Sequence, residues 1–229
     1  LDNAEFALLK PLQVAALSTT TLSSVNTTQF SALSTAVIAS LGTAQIAALT
    51  TDQIVALSTR QIVALTTGQM AGLTSDQIAN FETTDIAALR ARQLAAISSQ
   101  TIQGLQTQQV VALTSTQIAA LSSVQVAAFT TDQVRAIELI DVTAMKSRQV
   151  AALSTEAIAA LTTDQIAALS TAGISALTSR QMGALTTDQV SALETSDVSI
   201  LKPLQVAALS SAALATLSSS QLEVLSTAV

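Results

Sequence analysis

An eight-residue repeat runs through the whole chain and restricts its fold more than any other feature. With positions labelled a to h, one unit is Leu49–Ala56, and counting in eights from the first residue gives 28 complete units with five residues over. Position a is always Leu, Ile, Val, Met or Phe, and position f is apolar from Phe6 to Leu222. A short fixed period predicts an array in which each unit contacts only its neighbours. We therefore predict one continuous array over 1–229. Because it begins and stops in frame without polar capping units, we expect it to belong to a longer array or to continue through a neighbouring protomer.

The period also restricts the backbone conformation. In a β-strand, positions a, c, e and g would share one face, so the apolar f position would lie on the opposite face from the apolar a position. In an uninterrupted α-helix, two turns per unit would need 4.0 residues per turn instead of 3.6. Neither regular element fits, so we predict a helix that breaks once in every unit.

Capping residues indicate where each helix begins. Ser or Thr at b with Gln at e, as in Thr50 and Gln53, is the capping-box pattern, and 18 of the 28 units carry Gln at e. Pro11 and Pro203 both lie at c, the first helical position, where proline is tolerated because its missing N–H has no helical partner there. Asp at d, as in Asp52, suits the positive end of the helix dipole. Each unit is predicted to form a helix of about six residues over c to h, followed by a corner at a and b.

A helix this short requires neighbours for its stability. Burying two aliphatic side chains contributes about 3–6 kcal/mol, whereas ordering eight residues costs on the order of 12 kcal/mol. Positions a and f are predicted to face a shared core, and Ala at g and h lets helices lie close together. The predicted fold class is all-α, a solenoid or superhelix of very short helices with one helix per eight-residue repeat; its handedness and the number of units per turn are left open.

Composition limits the classes of partner. The chain has 15 acidic and nine basic residues and a net charge of −6, which disfavours nucleic acid because the phosphate backbone is also negative. It has no Cys, so neither disulfides nor thiolate sites are expected. We see no signal peptide, and polar residues at b to e interrupt every apolar stretch before the roughly 20 residues that a membrane helix needs. We predict no membrane span.

The same composition argues against catalysis. The chain has no His and no Cys, so acid–base or nucleophilic chemistry would depend on a few Asp, Glu and Lys side chains at exposed corners. The abundant Ser and Thr already have a role as helix caps. Met70, Met145 and Met182 occupy core positions, which favours packing over metal binding. We predict that the protein is not an enzyme and has no cofactor and no metal site.

Three pairs of charged units interrupt the uniform pattern. In each pair an acidic unit is followed by a basic unit, and the pairs begin at 81, 137 and 193, seven units apart. The charged residues are Glu82 and Asp85 before Arg90 and Arg92, Glu138 and Asp141 before Lys146 and Arg148, and Glu194 and Asp197 before Lys202. One interpretation is surface salt bridges between residues i and i+8, each worth about 0–1 kcal/mol. A second is that the charges mark one face at intervals and set the register of self-association. A third is binding of a ligand or ion by the acidic units.

Single units resemble the opening of the TAL-effector repeat, Leu-Thr-Pro-Glu-Gln-Val-Val-Ala. The match is carried by segments such as the one beginning at Leu49, which share the cap, the first helical position and Gln at the third. The base-reading loop and the long second helix of that family have no counterpart here. The likeness therefore implies shared capping chemistry and no shared function.

The whole chain resembles the long Leu-Thr-Thr-x-Gln-Ile-Ala-Ala arrays of very large bacterial surface and secreted proteins, described as adhesin-like. This resemblance implies a bacterial, extracellular or cell-surface location and a stalk or filament role, without identifying a binding residue. Our leading hypothesis is a non-catalytic structural protein, a stalk or a subunit of a filament or sheath, that self-associates end to end or laterally. The alternative is a binding module that presents ladders of Ser, Thr and Gln to a glycan, a surface or ice.

Overall fold

The structure, a computed structural model, describes residues 3–228, with side chains described as far as residue 225. This part of the chain is all-helical, with 28 short α-helices, one for each eight-residue repeat, and no strand. The chain divides into two compact units, Leu1–Leu113 and Thr114–Val229. Each unit holds 14 of the helices, and each is described by itself.

The helices of the first unit follow one another at eight-residue intervals. They are α1 (Asn3–Ala7), α2 (Pro11–Ala15), α3 (Thr19–Ser23), α4 (Thr27–Ser31), α5 (Thr35–Ser40), α6 (Thr43–Ala47), α7 (Thr51–Val55), α8 (Thr59–Ala64), α9 (Thr67–Ala71), α10 (Ser75–Ala79), α11 (Thr83–Ala88), α12 (Ala91–Leu94), α13 (Ser99–Ile102) and α14 (Thr107–Val111).

The second unit continues the same series. Its helices are α15 (Ser115–Ala120), α16 (Ser123–Ala127), α17 (Thr131–Arg135), α18 (Leu139–Thr143), α19 (Ser147–Val150), α20 (Thr155–Ala160), α21 (Thr163–Ala168), α22 (Thr171–Ala176), α23 (Ser179–Ala184), α24 (Thr187–Ser191), α25 (Thr195–Val198), α26 (Pro203–Val206), α27 (Ser211–Leu214) and α28 (Ser219–Ala228).

The predicted helix start is confirmed. Thr50 at b has an extended backbone, with φ −71° and ψ 157°, and its hydroxyl accepts a hydrogen bond from the Gln53 N–H at 3.2 Å. Gln53 Oε1 accepts in turn from the Thr50 N–H at 3.0 Å, which completes the capping box. Both prolines occupy the first residue of their helices, α2 and α26.

The helices are shorter than the predicted six residues in most units, with four to six residues in α1 to α27 and ten in α28. The last turn tightens, because the N–H at position a bonds to the carbonyl at f instead of continuing the α-helical pattern. The bond from Leu57 N–H to the Ile54 carbonyl, 3.1 Å long, is an example. Such tight final turns satisfy carbonyls that have no partner at the end of a helix.

In both units, each helix packs against the helix three places along the chain. In the first unit this gives three stacks: α1, α4, α7, α10 and α13; α2, α5, α8, α11 and α14; and α3, α6, α9 and α12. In the second unit the stacks are α15, α18, α21, α24 and α27; α16, α19, α22, α25 and α28; and α17, α20, α23 and α26. The solenoid-type packing is confirmed, and the number of repeats per turn, which the sequence left open, is three.

Positions a and f form the core, as predicted. Ile54 at f is 2% exposed and Leu57 at a is 6% exposed, and the same pattern recurs in successive repeats of both units. Burying a side chain of this size contributes about 1.5–3 kcal/mol. Position h lies where neighbouring turns come closest, since Gly72 faces the backbone of Thr43, 29 residues earlier. Over residues 3–228, no helix combines the length and apolar character needed to cross a bilayer.

Candidate functional site

The glutamine at position e connects each turn to the turn before it. Gln53 Nε2 donates to two backbone carbonyls, Leu22 at 2.9 Å and Val25 at 2.8 Å, which lie 31 and 28 residues earlier. Leu22 lies in the last turn of α3, and Val25 lies at the corner that precedes α4. The Oε1 of Gln53 already caps α7. The buried Gln53 side chain therefore connects the start of α7 to the corner in the preceding turn.

This connection recurs throughout both units. The following glutamines each donate Nε2 to the carbonyl 28 residues earlier at 2.6–2.9 Å: Gln45, Gln53, Gln61, Gln69, Gln77, Gln93, Gln109, Gln149, Gln165, Gln181, Gln189, Gln205 and Gln221. These side chains are buried, with Gln53 1% exposed and Gln149 0%. Thr101 stands in the same position, and its hydroxyl keeps the bond to the carbonyl of Leu73 at 2.9 Å. We call this series the glutamine ladder.

The glutamine ladder corrects one part of the alternative hypothesis. A ligand cannot reach the buried glutamines of the ladder, so they are not part of a binding surface, and most exposed corners present Ser and Thr hydroxyls. The sequence contained a signal that was missed, because a capping box accepts Glu as readily as Gln, yet Glu occurs at position e only in Glu5. Only Gln carries the N–H₂ group that the carbonyls of the preceding turn require.

Three of the predicted charged residues occupy rungs of this ladder. Asp85, Asp141 and Asp197 all lie at position e and are 5%, 3% and 2% exposed. We had placed the acidic residues on exposed corners, so for these three the prediction is wrong. An ionised carboxylate only accepts hydrogen bonds, and it faces the place where Gln Nε2 would donate. Asp141 Oδ1 instead accepts from the Ser115 hydroxyl at 2.6 Å.

Asp197 is the least satisfied of these carboxyls. Its Oδ1 is buried and has no hydrogen-bond partner. Burial raises the pKa of the Asp197 carboxyl above its ordinary value; a hydrogen bond from Thr171 opposes that rise, and the charge of Glu194 adds to it. The fold therefore disfavours the charged form of this side chain.

The remaining predicted charged residues lie on the surface, but the charged repeats do not share one face. Within the second unit, the acidic helices α18 and α25 belong to different stacks. Seven repeats separate them, and seven is not a multiple of the three repeats in a turn. These two acidic helices therefore do not lie on one face, and the role of the charges in the register of self-association stays a prediction.

Two of the residues in the interpretation as ion pairs between i and i+8 have other hydrogen-bond partners. Lys202 Nζ donates to the Ser175 carbonyl at 2.9 Å, and Glu82 accepts from the Thr84 hydroxyl at 3.3 Å. Adjacent corners belong to different stacks, so position b of one repeat and position b of the next do not lie above each other.

Two surface cavities are grooves between the corners of stacked turns. One, of about 360 Å³, is lined by Thr66 and Thr67 below and by Arg90 and Arg92 above. Another, of about 560 Å³, is lined by Glu194 together with hydroxyl-bearing side chains such as Thr195 and Ser218. The grooves share one backbone plan, and their charge depends on which side chains occupy positions b and d. Among the residues that the structure describes, no group of three or more Asp or Glu side chains is arranged to hold a metal ion.

A comparison with curated proteins found no match. The family model described as the ALTTAQ repeat matches the chain seven times, over residues 26–59, 54–83, 78–115, 102–138, 134–171, 166–195 and 190–227. The six letters of that description correspond to position h of one repeat and positions a to e of the next. This stretch contains the corner, the cap and the ladder position. These matches together cover far more than half of the sequence. The chain belongs to the ALTTAQ repeat family.

Proposed function

We propose that this repeat protein is a non-catalytic structural element, an extracellular or cell-surface stalk or a subunit of a filament or sheath. The proposal includes self-association, end to end or laterally. The length of the stalk or subunit would be set by the number of repeats, because each turn of three repeats contacts its neighbouring turns in the same way.

The glutamine ladder is the observation that best supports this proposal. The same buried amide makes the same bond across 28 residues in both units, at 2.6–2.9 Å. The glutamines of the ladder have partners for both ends of their amides, and buried polar groups satisfied in this way make a structure rigid and specific. A uniform array with stiff connections between turns suits a spacer or a filament better than a protein built around one specialised pocket.

Electron microscopy and analytical ultracentrifugation of the purified chain test the proposal. We expect elongated particles that associate as concentration rises, with a constant diameter when filaments form. Particles that stay monomeric at every concentration and bind a specific glycan would contradict the structural role.

Exposed hydroxyls support the alternative function, a repeat module that binds a glycan, a surface or ice. In the stack of α21, α24 and α27, consecutive turns present exposed hydroxyls at b, from Thr162, Thr186 and Ser210. Thr162 and Thr186 accept hydrogen bonds from the N–H groups they cap, and their hydroxyl protons are left to donate.

A glycan array and an ice-recrystallisation assay test this alternative. Replacement of Thr163 and Thr187 at position c by Ala removes one exposed and one half-buried hydroxyl beside these corners and leaves the caps at b intact. Binding that is lost in this variant supports the alternative, and binding that is unchanged assigns the contact to another surface.

A further inference from the structure

The groove above Thr66 and Thr67 differs in charge from the groove lined by Glu194. It lies between the corner that precedes α9 and the corner that precedes α12, two helices of one stack. Arg90 at b and Arg92 at d line the same cavity, of about 360 Å³, and both side chains are exposed. No acidic side chain is among the residues that line it.

The floor of the groove has no polar group to spare. Gln93 Oε1 accepts from the Arg90 N–H at 2.9 Å, and Gln93 Nε2 donates to the carbonyls of Val63 and Leu65 at 3.2 and 2.7 Å. The other polar side chains that line the cavity are two guanidinium groups and two threonine hydroxyls, and all four can donate hydrogen bonds. Thr66 Oγ1 accepts from the Gln69 N–H at 3.2 Å, so the hydroxyl proton of Thr66 is left to donate to another acceptor.

We propose that this groove is a binding site for an oxyanion, a sulfate, phosphate or carboxylate group. Guanidinium groups present several N–H donors in a planar fork that matches such groups, and they stay charged at every physiological pH. Charge-assisted hydrogen bonds of this kind are about twice as strong as neutral ones. The anion is either a free ion or a group carried by an acidic glycan, and both share this chemistry. The inference does not depend on the proposed stalk or filament role.

The two related basic repeats lack one or more parts of this arrangement. At α19 the b residue is Lys146, and the hydroxyl of Ser123 below it donates to the Arg148 carbonyl at 3.2 Å, so it is already used. At α26 the d residue is Leu204, and Lys202 Nζ is held by the Ser175 carbonyl at 2.9 Å. Among the three basic repeats of the charged pairs, all within the described residues, the groove at α12 is the one that combines two arginines with two threonine hydroxyls.

Calorimetric titration of the full chain with inorganic sulfate tests the site. The test variant carries Arg90→Gln and Arg92→Gln, a pair that the fold accepts, since Gln106 and Gln108 occupy the same b and d positions before and in α14. The matched control is Arg60→Gln, which removes an exposed arginine at position d whose repeat has Ser58 at b. We expect sulfate affinity to fall at least about tenfold in the double variant, given the strength of charge-assisted bonds, and to stay within twofold of the original in the control.

An NMR titration locates the anion independently of the variants. We expect sulfate to shift the amide signals of Thr66 and Thr67, and a variant that fails to fold would leave this measurement on the unaltered protein to decide. Three outcomes would overturn the proposal: a lack of saturable sulfate binding, an equal loss of affinity in Arg60→Gln, or amide shifts confined to other corners. Parallel titration with a sulfated disaccharide separates the two sources, because tighter binding than sulfate indicates a glycan and equal binding indicates the free ion.

Discussion

The side-chain amide of Gln53 donates to the backbone carbonyl of Val25, 28 residues earlier in the chain, at 2.8 Å. The same glutamine caps α7 through its Oε1, so the start of one helix and the corner beneath it share a single buried side chain. The glutamine therefore acts at two levels: it begins a helix, and it fixes that helix over the preceding turn.

Gln69→Glu should destabilise the first unit. Gln69 Nε2 donates to the carbonyls of Ile38 and Leu41 at 2.7 and 2.8 Å, and a carboxylate in its place would face both acceptors without a donor. We expect a loss of about 2–4 kcal/mol, because each buried group left without a partner costs about 1–3 kcal/mol. Thermal unfolding followed by circular dichroism measures the loss. Gln108→Glu, at an exposed position, is the control, and equal melting temperatures would refute a role for the ladder in stability.

Asp197→Gln should stabilise the second unit at neutral pH. The substitution restores the consensus residue, whose amide would reach carbonyls equivalent to those of Ile174 and Leu177 that Gln205 contacts. Since the buried Oδ1 of Asp197 has no partner, we expect a gain of about 1–3 kcal/mol. Denaturant unfolding of the variant beside Asp188→Asn, an exposed acidic position, provides the comparison. A variant no more stable than the control would count against this account of Asp197.

The pH dependence of unfolding should come partly from Asp197. Burial raises its pKa in the folded state, so the folded protein keeps this proton at pH values where the unfolded chain has lost it. The cost of the charge is therefore absent below the ordinary value of about 4 and grows as pH rises through the folded value. The charge of Glu194 raises this pKa further. Of the two helices that pack against α25, α28 contains Glu223 and α22 contains no charged residue. The stability difference between Asp197→Gln and the unaltered protein should widen from pH 4 to pH 7, and a constant difference would contradict this assignment.

Gly104→Ala and Gly68→Ala should have opposite effects. A Cβ on Gly104 would lie 2.5 Å from the Ser75 carbonyl oxygen and 2.8 Å from the Ser75 Cα, so the backbone of two turns would have to separate. At Gly68 the nearest atom, Thr66 Oγ1, is 3.9 Å away, and Ala favours the helix by about 0.5–1 kcal/mol. We expect a lower melting temperature for the first variant and a higher one for the second. Two shifts of the same sign would refute the predicted contrast.

Charge-directed assembly is best tested on the exposed acidic residues. Glu138→Lys with Glu194→Lys should weaken self-association without loss of helicity, because both side chains lie on the surface whereas Asp141 is buried. Sedimentation velocity at low and moderate salt measures the change, since salt screens such contacts. Asp164→Lys, an exposed acid outside the three charged pairs, is the control, and association unaffected by the paired change would remove these charges from the assembly hypothesis.

Much of the local structure was predictable from the sequence. The cap at Thr50, the helix start at Pro203 and the burial of Ile54 follow from the properties of single residues and their spacing within one repeat. These interactions span eight residues or fewer, so a repeated pattern reveals them.

The arrangement of turns was not predictable in the same way. The bond between Gln53 and Val25 spans more than three repeats, and no feature of one repeat states how many repeats complete a turn. The burial of Asp141 follows from that same number, because the residue becomes a rung of the ladder only when turns are stacked. For this reason the predicted surface position was wrong for Asp85, Asp141 and Asp197, although the other charged residues of these pairs are exposed.

The fixed separation of 28 residues between ladder donors and acceptors also bears on how such a gene can change in length. An insertion of one or two residues would leave several successive glutamines opposite the wrong carbonyls. Duplication of one eight-residue repeat would restore the bonding in the turns that follow it. A single added repeat would nevertheless move every later side chain to the next stack. Only duplications of three repeats at a time would preserve both the bonding and the stack to which each residue belongs.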